Sequence, residues 1–274
     1  MGNVWAISDL HVGHEQNRDF VDLLVPETSD DWLIVAGDVA EYAEQVLATL
    51  ACLRRRWRRV IWTPGNHELW TLPSDPCQLR GVERYEYLVS ECRAIGVDTP
   101  EDHFPTWHGS SGSVVVAPLF LLYDYSFRPP GMSVAEALSA AHRKGVVCND
   151  EYVLYPDPYP TREQWCAERV RLTRKRLDAL PDGVATVLVN HFPLNQCQTS
   201  RLYHREFALW CGTNQSASWH LEYRATDVIY GHLHIAGSEV YDGVRFHEVS
   251  IGYPRERAWR SAPLGPRLIL QDVP

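Results

Sequence analysis

Val4-Trp5-Ala6-Ile7-Ser8-Asp9-Leu10-His11 runs from a short apolar stretch straight into two residues that bind hard or borderline metal ions. A brief apolar run that stops at polar residues reads as a buried strand, so Asp9 and His11 sit where that strand ends. The arrangement recurs four times. Trp32-Leu33-Ile34-Val35 leads to Gly37-Asp38, and Val60-Ile61-Trp62 leads to Gly65-Asn66-His67-Glu68. Residues 184–189 lead to Asn190-His191, and Asp227-Val228-Ile229-Tyr230 leads to Gly231-His232-Leu233-His234. Ligands at strand ends far apart in sequence describe one site, and that site is for metal.

The candidate ligands are Asp9, His11, Asp38, Asn66, His191, His232 and His234: two carboxylates, one amide oxygen and four imidazoles. One divalent ion takes about four to six ligands and, in a catalytic site, keeps a position open. This set is too large for one ion and suits two that share a bridge. Asp38 is the expected bridge, each of its oxygens facing a different ion. Imidazole and oxygen donors without thiolate suit two divalent or mixed-valence ions, with Mn, Fe or Zn first among them. Two ions about 3.5–4 Å apart form the clamp used for in-line displacement at phosphorus.

Taken in order, Asp9-x-His11, Gly37-Asp38, Gly65-Asn66-His67-Glu68, Asn190-His191 and Gly231-His232-x-His234 resemble the signature of the calcineurin-like metallophosphoesterases. The resemblance implies an α/β fold, with two mixed β-sheets packed as a sandwich flanked by helices in four layers. It implies that Asp9, His11, Asp38 and His234 hold one ion, and that Asp38, Asn66, His191 and His232 hold the other. It gives His67 the role of an acid over the phosphate, with a metal-bridging hydroxide as nucleophile. Asn66 would also reach substrate. Many relatives carry a carboxylate three residues after the bridging Asp that orients this histidine. Here that position is Glu41, one methylene longer, so a His67–Glu41 dyad is expected. His14, three residues past His11, is close enough to touch substrate. Val39-Ala40-Glu41-Tyr42 stands where protein Ser/Thr phosphatases have Asp-Arg-Gly, which argues against that branch. Asn190, where many relatives have Ser or Thr, is read as supporting the site without ligating. A lone histidine at a strand end is more often hydrogen-bonded than ligating. Five motifs in family order with no ligand replaced argue against that, and against a fold that has lost its metal.

Helices are expected at 17–24, 41–55, 82–94, 134–142 and 162–179, the last just after Pro160-Thr161. Strands at 237–240, 244–249 and 267–271 would complete the second sheet, with Asp242-Gly243 as a hairpin turn. The chain reads as a single metallophosphoesterase domain over 1–274, with inserted loops near 70–112, 123–161 and 194–224 that shape substrate choice. Tyr203, His204, Arg205, Trp210, Trp219 and His220 fall in the third loop, where aromatics can line a pocket for an organic leaving group.

At 274 residues and 45% hydrophobic, the chain can bury a substantial core. Its seven cysteines are dispersed without a Cys-x-x-Cys pair and read as reduced thiols. No run of eighteen apolar residues occurs and the first strand begins almost at once, so neither a membrane span nor a signal peptide is expected. A cytoplasmic enzyme fits these features. The formal net charge of -9 argues against nucleic acid as a bulk partner. Arg54-Arg55-Arg56-Trp57-Arg58-Arg59 is the local exception, read as a helix C-terminus that suits cations or as a dock for an acidic partner. A second basic stretch spans 169–176. The extended signatures Gly65-Asn66-His67-Glu68-Leu69-Trp70, Trp210-Cys211-Gly212-Thr213 and Tyr230-Gly231-His232-Leu233-His234 are similar to an actinobacterial branch of the family. That branch includes an enzyme removing the 4′-phosphopantetheine arm from carrier proteins. The implied substrate is a phosphodiester on an acidic acyl or peptidyl carrier protein. Small-molecule or cyclic-nucleotide diesters, phosphomonoesters, a non-phosphate bond and a non-catalytic binding role stay open as alternatives.

Overall fold

Side-chain alternation along the first strands sets the layers. The structure, a computed structural model, describes residues 2–110, 112–259 and 263–272. Strands β1 (Val4–Ile7), β2 (Trp32–Val35) and β3 (Arg59–Trp62) each turn alternate residues to opposite faces. Val4, Ala6, Ile34, Ala36 and Ile61 enter one core together with Val116, Val187, Val189, Ile229 and Val249. Ile7, Leu33, Val35, Val60 and Trp62 enter another, shared with residues of the flanking helices. Burial on both faces is why these strands read as unbroken apolar runs.

The helices are α1 (Glu15–Asp22), α2 (Ala43–Arg56), α3 (Gly81–Ala94), α4 (Val134–Arg143), α5 (Asp150–Val153), α6 (Arg162–Asp178) and α7 (Trp219–Glu222). The remaining strands are β4 (Thr106–Gly109), β5 (Gly112–Pro118), β6 (Ala185–Val189), β7 (Ala225–Tyr230), β8 (Gly237–Tyr241), β9 (Val244–Glu248) and β10 (Arg267–Leu270). One sheet runs β10-β1-β2-β3 and the other β4-β5-β6-β7-β9-β8. β1, β2 and β3 are parallel and β10 is antiparallel to β1. In the larger sheet β5, β6, β7 and β9 are parallel, and the edge strands β4 and β8 are antiparallel to their neighbours. Both sheets are mixed, and they pack face to face with helices outside, as the motifs implied.

Two details correct the sequence reading. β10 was expected in the second sheet but pairs with β1, with Val4 opposite Leu270. β4 and β5 were not expected as strands. The 70–112 stretch holds α3 and β4, and Tyr85, Leu88, Val89 and Cys92 of α3 are core residues. The Asp242-Gly243 turn does form, with φ of 50° and 78° at the two residues, as a two-residue turn between twisted strands requires. Thr161 caps α6 by accepting the Gln164 N–H.

Much of both basic stretches is paired within the chain, while Arg55 and Arg58 are exposed. Arg54 donates to the Gly96 and Trp57 carbonyls, and Arg56 to those of Val21 and Leu24. Arg59 opens β3 and pairs with Asp98 at 2.6 Å. It lies at the opposite end of β3 from Gly65-Asn66-His67. In α6, Arg169 pairs with Glu101, Arg171 with Glu168 and Arg174 with Glu222. No helix among the described residues is long and apolar enough to cross a membrane.

Candidate metal centre

The two sheets meet where β1 and β9 end. Ser8 donates its backbone N–H to the Val249 carbonyl at 3.1 Å and accepts that of Ile251 at 2.9 Å. Beyond these bonds the chain curls sharply. Asp9, His11, Asp38, His232 and His234 all have positive φ, between 40° and 69°, which is rare outside glycine. The neighbouring glycines let the loops close: a Cβ on Gly65 would lie 2.1 Å from Asp38 Oδ1, and one on Gly231 would lie 2.2 Å from Asp9 Oδ2.

All seven predicted ligands converge here. Asp9, His11 and His234 form one set and Asp38, His191 and His232 a second, the donor atoms of each set lying within 4.8 Å of one another. In the first set His234 Nε2 is 3.0 Å from Asp9 Oδ1 and 3.3 Å from His11 Nε2. Asp38 Oδ2 stands at the centre, 3.3 Å from His191 Nε2, 3.7 Å from His67 Nε2 and 4.0 Å from His11 Nε2. Asp38 Oδ1 instead accepts the His67 backbone N–H at 3.0 Å. Only one carboxylate oxygen therefore faces both sets, not one oxygen for each as expected from sequence.

Hydrogen bonding fixes which atoms remain free to ligate. His191 Nδ1 donates to the Ala36 carbonyl at 2.9 Å, which turns its Nε2 towards Asp38 and the centre. His234 Nδ1 donates to Glu256 Oε2 at 2.8 Å, which turns its Nε2 towards Asp9. Asn66 Nδ2 donates to Asp150 Oδ1 at 2.9 Å, which turns Oδ1 inward. Asn66 Oδ1, His191 Nε2 and His232 Nε2 are buried without a hydrogen-bond partner. Buried polar atoms are rarely left so. Burial pushes the His232 pKa down to about 3, aided by His191, keeping that imidazole neutral. Burial also pushes His191 down, but Asp38 more than reverses it, to about 10. Burial raises the Asp9 carboxyl, and His234 outweighs it, bringing the pKa to about 2. The two carboxylates thus demand positive charge beside them. A donor set of orphaned imidazole and oxygen atoms around two carboxylates fits divalent metal. Asn190 does not ligate: its Oδ1 accepts from Leu121 N–H and its Nδ2 donates to the Phe192 carbonyl.

His67 lies at the lip. Its Nδ1 is 3.0 Å from Glu41 Oε1, and its ring stacks on Trp70 with centroids 3.7 Å apart. Burial pushes the His67 pKa down, while Asp38, Glu41 and Asp150 more than compensate and hold it above the ordinary value. His14 is exposed and meets Tyr253 edge-on at 5.4 Å, at the rim of a cavity that His67 and Glu41 also line.

Several residues that hold this geometry escaped the sequence reading. Asp150, fully buried, also accepts from Trp70 Nε1 at 2.6 Å, so one carboxylate oxygen fixes both Asn66 and Trp70. Glu68 accepts the backbone N–H groups of Asp38, Val39 and Gly65, buckling two ligand loops together. Arg84 of α3 is fully buried and donates to the carbonyls of Glu68 and Glu41. Tyr253 stacks on His11 at 4.4 Å, and Arg255 lies over Tyr253. Glu68 stood within a quoted motif, and its spacing gave no role. The others lie in segments without a motif.

A family model described as calcineurin-like phosphoesterase matches residues 2–236. The [acyl-carrier-protein] phosphodiesterase PptH of Mycobacterium tuberculosis is 54% identical over 258 residues, 94% of this chain and 79% of that protein. The crystal structure of phosphopantetheinyl hydrolase PptH from the same organism superposes with a TM-score of 0.95 at 52% identity, covering 99% of this chain and 96% of that one.

Proposed function

Because the chain belongs to the calcineurin-like phosphoesterase family and is a hydrolase of phosphate esters, we propose that it removes the 4′-phosphopantetheine arm from a carrier protein. The observation that carries this reading is identity above one half along nearly the whole chain to a protein named for that activity.

Asp9, His11, Asp38 and His234 would hold one ion, and Asp38, Asn66, His191 and His232 the other. Mn, Fe or Zn suits these donors. Bound there, such ions would supply charge to the phosphoryl oxygens and acidify a water to a near-neutral pKa. The remaining work falls to the chain. His67, its Nδ1 proton held by Glu41, keeps Nε2–H turned to the cavity, where it protonates the departing serine oxygen. Trp70 fixes the plane of that imidazole, and Asp150 fixes Trp70. Arg255, exposed at the cavity wall, offers charge to an acidic partner at the mouth itself. A cytoplasmic encounter with a carrier protein is the setting this reading assumes.

Incubation of the Mn2+-loaded protein with holo-carrier, followed by mass spectrometry, tests the reading. The expected result is loss of one 4′-phosphopantetheine from the carrier. An intact holo-carrier alongside cleaved bis-p-nitrophenyl phosphate would make this a small-diester enzyme. Failure on both would reject phosphodiester hydrolysis.

A further inference from the structure

The metal centre sits in the middle of a trough with two unlike wings. The central cavity, about 350 Å3, is lined by Asp38, Asn66, His67, His232 and His234. On the His67 side it continues through Trp70, Asn149, Tyr253 and Arg255 into a wing of about 480 Å3 that also holds His14 and Glu41. On the other side it continues through Val147, Phe207, Leu233, His234 and Glu256 into a wing of about 600 Å3. That second wing is walled by Val146, Leu202, Tyr203, Ile235, Ala236 and Ile251, with His204 and Glu256 as its polar residues beside His234. Two of its rim residues show large apolar side chains to solvent: Val147 is 55% exposed and Tyr203 is 92% exposed. Exposed apolar side chains grouped at a cavity rim mark a binding surface.

Resting on the proposed function, we infer that the two wings take opposite ends of the diester. The apolar wing holds the pantetheine arm, and the His67 wing receives the carrier serine. The chemistry sets this direction. Water adds its oxygen to phosphorus and gives up a proton to solvent, the bond from phosphorus to the serine oxygen breaks, the serine oxygen takes a proton from His67, and His67 recovers one from solvent. The products are 4′-phosphopantetheine and the unmodified serine. The leaving oxygen must therefore lie on the wing where His67 and Glu41 stand. The arm, which keeps the phosphate, extends the other way, past His234 and Phe207. The 194–224 stretch thus grips the retained group, where the sequence reading gave it the leaving group.

Calorimetric titration of the Mn2+-loaded protein with 4′-phosphopantetheine and, separately, with ethyl phosphate tests this. The ratio of the two dissociation constants reads the arm alone, since both probes share the metal-facing phosphate. Wild type should favour 4′-phosphopantetheine by about tenfold or more, because a few buried methylene groups suffice for that. Val147→Glu and Leu202→Glu should bring the ratio towards one, and Tyr203→Ala should lower it several-fold while adding no charge. A wild-type ratio near one, or variants that keep the wild-type ratio, would overturn the assignment. Cleavage of holo-carrier with a ratio near one would defeat this inference alone. A high ratio without carrier cleavage would keep the apolar wing as an arm site, but defeat the proposed function and with it the place given to the serine.

Discussion

Replacing Glu41 with Gln keeps the side chain's size and an oxygen to accept the His67 Nδ1 proton, and removes only the charge. The bond is 3.0 Å long, with 10% of the His67 side chain and 20% of Glu41 exposed. A hydrogen bond to a charged partner contributes about 1.5–3 kcal/mol. At about 1.4 kcal/mol per pKa unit, the His67 pKa should fall by about 1–2 units. The sign follows from the folded protein. The carboxylates hold the proton on His67, so loss of one lets it leave at lower pH. The basic limb of the kcat/KM profile should therefore move down by about 1–2 pH units. Above that limb, a serine or other alkoxide leaving group should suffer about a 10–100-fold loss. Bis-p-nitrophenyl phosphate should change little, because p-nitrophenolate departs without a proton. Stopped assays of holo-carrier and continuous assays of the aryl diester between pH 5 and 9 make the comparison. An unmoved basic limb, or equal losses on both substrates, would refute the role given to the pair.

Asp150→Ala should strand the Asn66 amide and the Trp70 indole N–H at about 1–3 kcal/mol each. It should also weaken metal retention by about 10–100-fold, whereas Asp150→Asn keeps most of both. Metal content after dialysis and thermal melts report this, and full retention in the alanine variant would contradict it. Chelation should lower the melting temperature, and Mn2+ at one hundred times its Kd should restore about 2.7 kcal/mol; a melt indifferent to metal would count against the centre. Burial raises the pKa of Asp227, but bonds from His247 and Arg245 more than reverse it. Its contribution is thus present above its unfolded pKa of about 3.9 and lost as pH falls through the lower folded value. Asp227→Asn should then cost about 1.5–3 kcal/mol at pH 7 and progressively less below pH 4; a gap of equal size at pH 3 would exclude this account. Gly231→Ala should abolish metal binding, since its Cβ would displace Asp9; an unchanged metal content would show that the loop yields.

The ligand-bearing half of the fold was legible because ligand and strand occur in the same few residues. Val4-Trp5-Ala6-Ile7 announces a strand, and Asp9 and His11 announce why it stops. β5 carries Gly112–Pro118 through the larger sheet with no ligand at its end, so nothing marked it. β10 was placed in the wrong sheet because pairing partners are chosen by tertiary contact, which a four-residue apolar run does not encode. The share of Asp38 between its two oxygens was misread for a similar reason: the His67 N–H that occupies Oδ1 comes from a loop 29 residues on. Asp150 and Glu256 act on ligands 84 and 22 residues away. Their roles exist only once the chain has closed.

The left-handed backbone at Asp9, His11, Asp38, His232 and His234 has an evolutionary consequence. Each such residue costs roughly 1–2 kcal/mol relative to glycine, so together they carry strain on the order of the margin by which a domain stays folded. A lineage that ceased to need the metal would gain stability with nearly every ligand it exchanged for glycine. Decay of the site would run downhill. In this chain all five positions keep an Asp or a His at that backbone cost.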